Sequence, residues 1–147
     1  VHFPIALLIV GSAFYILSWL LYRFEFSSKL RFSSFILILL GTIAAWIANF
    51  TGGLAEEVVA LSLCNPEIRI LHEDYAYYTA YLFTIFVLFE ILRQRFYSKV
   101  SIVLIILNVL LALGGVALLG YVGHLGADLV YQQGAGVYAP GPECKGY

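Results

Sequence analysis

Three side chains in this sequence are equipped for chemistry at a membrane rim: His2, His72 and His124, the only histidines of the chain. An imidazole is costly near lipid and is kept there for a ligand, a proton or a partner. Each of the three sits at the edge of a long apolar run, and the runs place all three at one depth. One reading is b-type haem, with two imidazoles on different helices holding the iron and small residues making room for the macrocycle. An arginine or tyrosine would then meet the propionates at the water boundary, and Arg69 is the candidate. A second reading is a transition-metal ion held by His72, His124 and His2, with or without Glu73, Asp74 or Asp128. The third is structural, with no cofactor at all: interfacial histidines bonded to water and backbone.

The stretch from Gly120 to Tyr131 is the most distinctive in the chain. Gly120 falls one helical turn before His124, so the surface beside that imidazole is bare of side chains. Gly120 and Gly123 are therefore the expected wall for a flat ligand. Asp128 falls one turn after His124 and is placed to accept its second N–H, fixing the tautomer.

The elements that must position these groups follow from composition. Of 147 residues, 62% are hydrophobic and only 12% charged, far from the balance of a soluble domain. The chain has room for four spans of roughly 20 residues each. They are expected over 3–22, 33–50, 75–97 and 100–122, with a loop over 51–71 and a tail over 125–147. The fold expected is all-α: a single integral membrane domain over 1–147, built as an up-down four-helix bundle. The first span lacks the basic flank of a signal peptide. The chain opens at Val1 and contains no methionine, so its true start is expected to precede the sequence.

Charge sets the expected orientation. Arg23, Lys29, Arg31, Arg93, Arg95 and Lys99 flank the two short turns, whereas Glu56, Glu57, Glu67, Glu73, Asp74, Asp128 and Glu143 gather at the other end. The positive-inside rule puts the short turns in the cytoplasm and both termini outside, in a periplasm if the source is bacterial. Cys64 and Cys144 would both face that oxidising side, where a disulfide between them would close a ring of about 80 residues. The sequence contains no Cys-x-x-Cys-His run for covalent haem attachment.

Other features describe the bundle itself. Gly41, Ala45, Ala48 and Gly52 form one small-residue face, which suits close helix packing, its commoner use, or a slot for something flat. Asn49 and Asn108 need partners in lipid, and interhelical hydrogen bonds are the expected ones. A short amphipathic surface helix is expected over 55–63. Tyr75, Tyr77, Tyr78 and Tyr81 read as an interfacial belt.

The opening Val1-His2-Phe3-Pro4, the Thr51-Gly52 pair, His72, and Gly123-His124-Leu125-Gly126 followed by Leu129-Val130-Tyr131 together resemble an uncharacterised family of bacterial four-helix membrane proteins. That family is often fused to, or encoded beside, c-type cytochrome modules. The resemblance spans nearly the whole chain and implies a role in respiratory or photosynthetic electron transfer through haem. Two positions depart from the pattern: Gln133 stands where a further histidine is usual, and Ala127 where a second glycine is. Taken together, the residues and the resemblance predict a multi-pass subunit of the bacterial inner membrane, passing electrons between quinol or a partner subunit and a c-type cytochrome. His72 and His124 are the first choice of axial pair, because they edge consecutive antiparallel helices, with His2 in reserve. The alternative is a cofactor-free anchoring subunit within a larger membrane complex.

Other classes are disfavoured. No nucleophile with its base and no nucleotide fingerprint is present, so the chain is not expected to be an enzyme by itself. Apart from Glu90, no ionisable residue is placed inside a span, which argues against a transporter. A net charge of −1, with basic residues where lipid phosphate explains them, gives no support to nucleic-acid binding.

Overall fold

Long apolar runs in a medium without water must satisfy their own backbone groups, and a helix does so within one segment. The computed structural model describes residues 2–59, 66–95 and 101–136. It contains α1 (His2–Leu20), α2 (Ser27–Val59), α3 (Pro66–Arg95) and α4 (Ser101–Tyr131), all four long and apolar enough to cross a membrane. Pro66 opens α3 at a position where its missing N–H costs nothing, and Pro4 lies in the first turn of α1 for the same reason.

α2, α3 and α4 run further than the spans expected from hydropathy, while α1 ends at Leu20, short of the expected residue 22. α2 continues to Val59 and α3 begins at Pro66, so most of the expected 51–71 loop is helical. The separate surface helix expected from Ala55 is, up to Val59, a continuation of α2. Gly52 and Gly53 do not break it, because neither takes a positive φ. The Thr51 hydroxyl donates back to the Ile47 carbonyl at 2.9 Å and holds that turn in register. α4 likewise continues through the expected start of the tail to Tyr131. It ends where Gly134 (φ 68°) and Gly136 (φ 70°) adopt the left-handed conformation that closes helix C-termini. Beyond Gly134 the Ala135 N–H returns to the Leu129 carbonyl at 2.9 Å. Thirty-three residues at about 1.5 Å each make α2 about 50 Å long, well beyond a hydrocarbon core of about 30 Å. Cys64 and Cys144, and with them the expected disulfide, lie outside the described residues.

Packing follows glycine. α1 meets α2 most broadly, α3 meets α4, and narrower contacts of α2 with α3 and α1 with α4 close the ring. A Cβ at Gly11 would stand 2.7 Å from Ile38, one at Gly41 2.8 Å from Leu8, and one at Gly115 2.6 Å from the Phe83 ring. These three positions need the bare backbone for close helix approach. The core between them holds Leu8, Tyr15, Ile38, Phe83, Phe86 and Ala112.

One charged cluster is sealed inside the bundle, toward the end that carries Arg23, Arg31, Arg93 and Arg95. Glu90 of α3 is fully buried. Its carboxylate accepts from Arg93 Nε at 2.8 Å and again from Arg93 Nη2, and from Tyr15 of α1 at 3.2 Å. Asn108 of α4 donates to it at 3.3 Å. The interhelical partner expected for Asn108 is thus Glu90. Arg31 of α2 stacks over Trp19 of α1 at 3.8 Å, and Arg93 approaches the same ring at 5.6 Å. Every helix is tied into this end by a polar or cation–π contact.

Candidate functional site

At the opposite end the four helices part around a cavity of about 630 Å³, within the usual range for ligand clefts. Each helix lends residues to it. α1 supplies His2, Pro4, Ile5 and Leu8, and α2 supplies Ala45, Ala48, Asn49 and Gly52. α3 contributes His72, Glu73, Ala76 and Thr79, and α4 contributes Val122, Gly123, Gly126 and Ala127 among others. The small-residue face of α2 is therefore divided. Gly41 packs against Leu8, while Ala45, Ala48 and Gly52 leave the space open.

His72 is the best-positioned group in the cavity. Its Nδ1 lies 3.0 Å from the Val122 carbonyl of α4. A carbonyl can only accept, so Nδ1 carries the proton, and in the neutral ring Nε2 keeps its lone pair. The ring also rests on Gly126, where a Cβ would come within 3.1 Å of Cε1. Metal-binding histidines are oriented in this way, with one nitrogen bonded to the protein and the other left for the ligand. His2 lines the same cavity from the start of α1.

His124 is placed differently. Its side chain is 70% exposed, it is absent from the cavity lining, and its Nε2 lies 3.6 Å from Asp128. Asp128 in turn accepts from Gln132 at 2.9 Å. Gly120 shares this outward face, with nothing within 4 Å of the position its Cβ would take. The structure thus brings His2 and His72 together on one cavity and sets His124, Gly120 and Asp128 apart from it. Gly123, one residue round the helix, does line the cavity. The reason is rotational: α4 is apolar on every side, so its pattern does not say which face turns inward. Among the described residues, no three His, Cys, Asp or Glu side chains converge as a metal-ion site.

Arg69 lies one turn before Glu73, 3.9 Å from its carboxylate, on the rim above His72. Gln133, where the resembled family usually carries a further histidine, is 2% exposed. None of Tyr75, Tyr77, Tyr78 or Tyr81 lines the cavity, while Tyr75 packs edge-on against Tyr121 and Tyr81 against Trp46, as belt residues.

Sequence reasoning passed over three participants. Gly126 and the Val122 carbonyl seat His72, and neither residue type signals such a role. Asn49 was expected to bond across helices, yet its amide nitrogen is buried with no hydrogen-bond partner. These residues fit a haem: an imidazole with a fixed tautomer, a second histidine, a wall of small side chains and an unmatched polar donor.

The contact with Gly126 makes a discriminating test. Under the haem reading, Gly126→Leu is expected to push the His72 ring off Val122 and to lower the haem-to-protein ratio roughly 10- to 100-fold, the usual cost of losing a ligand's orienting contact. Gly120→Leu, facing open space on the same helix, is expected to leave the ratio unchanged. A pyridine haemochrome assay of the two variants decides; equal effects would remove Gly126 from the site.

Residues 1–139 match the model of a family described as "Predicted membrane protein (DUF2231)". No curated protein and no solved structure matches the chain.

Proposed function

The chain belongs to the DUF2231 family of predicted membrane proteins, and we propose that it is a multi-pass electron-transfer subunit holding a b-type haem in the cavity at the histidine end. The observation that carries this reading is His72, whose Nδ1 is committed to the Val122 carbonyl while Nε2 remains available on the cavity wall. On this reading His72 would hold the haem iron, and His2, which lines the same cavity, would be its partner in place of His124.

A bound haem supplies one-electron exchange at the membrane rim. The chain's own residues orient the imidazole and hold the four helices around the cavity. The basic end faces the cytoplasm of a bacterial inner membrane, and the cavity faces the periplasm, by the positive-inside rule. A c-type cytochrome on that side, and quinol or a membrane subunit within the bilayer, are the partners that such a position serves. The acidic residues Glu67, Glu73 and Asp74 at the start of α3 suit docking to a basic protein surface.

A reduced-minus-oxidised absorption spectrum of the purified, unstripped protein tests the proposal. A b-type α-band with about one haem per chain is the expected result. A flat spectrum overturns it and leaves the chain as a cofactor-free anchoring subunit.

A further inference from the structure

Two asparagines face the bundle interior, and they are treated differently. Asn108 donates its amide nitrogen to Glu90 at 3.3 Å, with its amide oxygen left unpartnered. Asn49, half-buried on α2 at the cavity, has its amide nitrogen buried and no partner for it. A buried donor left unmade is unfavourable, and more so where no water is at hand to take its place. Ala45, Ala48 and Gly52 flank Asn49 on its own helix, and none of the acceptors that line the cavity from α3, His72, Glu73 and Thr79, bonds its amide nitrogen.

We infer that the molecule held in this cavity carries an oxygen acceptor, and that the Asn49 amide donates to it. This rests on the haem reading, under which the acceptor is a propionate carboxylate. Asn49 is then the propionate anchor in place of Arg69, whose guanidinium is turned to Glu73 on the rim. An amide anchors the carboxylate without adding a charge to the cavity wall. It also fixes which edge of a near-symmetrical macrocycle faces α2.

Metal-free porphyrins test the anchor without calling on either histidine as an iron ligand. Binding is read by fluorescence in the intact protein, with protoporphyrin IX (two carboxylates) and etioporphyrin (alkyl groups only) as probes. Asn49→Leu and Asn49→Ala are expected to weaken protoporphyrin IX about tenfold, the worth of a hydrogen bond to a charged group. Etioporphyrin is expected to bind wild type and both variants alike. Unchanged protoporphyrin IX affinity in the variants overturns the anchor, and so does an equal loss for both porphyrins, which would report cavity shape alone. Failure of the wild type to take up either porphyrin counts against the haem reading itself. Two variants guard against one that does not fold, and removal of an unmatched polar group is compatible with folding.

Discussion

His72→Ala is expected, on the proposed haem reading, to strip the purified protein of haem, lowering its haem-to-protein ratio by well over tenfold. Loss of an orienting partner alone costs roughly 10- to 100-fold, and this change removes the ligand atom itself. His2→Ala is expected to be milder, because His2 sits exposed at the first turn of α1, with no hydrogen bond to hold its ring; haem is retained with an altered ligand-sensitive spectrum. His124→Ala is expected to leave both content and spectrum unchanged, since that ring is 70% exposed and absent from the cavity lining. The three α-bands, measured on protein purified in parallel, rank the histidines directly. Haem lost in His124→Ala but kept in His2→Ala would restore the pair suggested by helix order and sink the assignment made from the cavity.

The second large effect lies at the other end of the bundle. Glu90→Leu is expected to destabilise the protein by about 3–5 kcal/mol, the usual cost of leaving one partner of a buried ion pair behind. Interhelical hydrogen bonds in membranes average only about 0.6 kcal/mol each, so the lost contacts to Tyr15 and Asn108 account for the smaller part. The larger part is the Arg93 guanidinium, which loses the carboxylate facing it. Glu90→Leu combined with Arg93→Met is therefore expected to recover most of the loss, because replacing both members of a buried pair is often close to neutral. Denaturant unfolding in detergent, followed by helical circular dichroism, measures both. A single variant as stable as wild type would show that the cluster contributes nothing to holding the helices together.

The two ends of the molecule thus divide the work. The basic end is closed by the Glu90 cluster and the stacked arginines, and it fixes the helices relative to one another. The histidine end is held apart by small side chains. A cavity maintained between long helices needs such a clamp, since in lipid no hydrophobic drive presses helices together.

Much of this was legible in one dimension. The number of spans, the common depth of the three histidines and the need of Asn108 for a partner all follow from apolar length and from the cost of bare polar groups in hydrocarbon. The extent of the helices was less legible. Gly52, Gly53 and the glycines of α4 look like breaks in a sequence, yet none of them takes a positive φ, and the helices run through them. Glu90 was visible as an isolated acid, but not as the acceptor of donors from three helices.

What the sequence determined by itself is therefore a four-helix membrane chain with its chemically capable residues gathered at one end. Only the tertiary structure decided which of them share a cavity. α4 is apolar all round, so no periodicity fixes its rotation, and a turn of about 100° per residue separates Gly123 on the wall from His124 on the outside. That rotation is set by Phe83 against Gly115 and by His72 against Gly126, contacts between residues far apart in the chain.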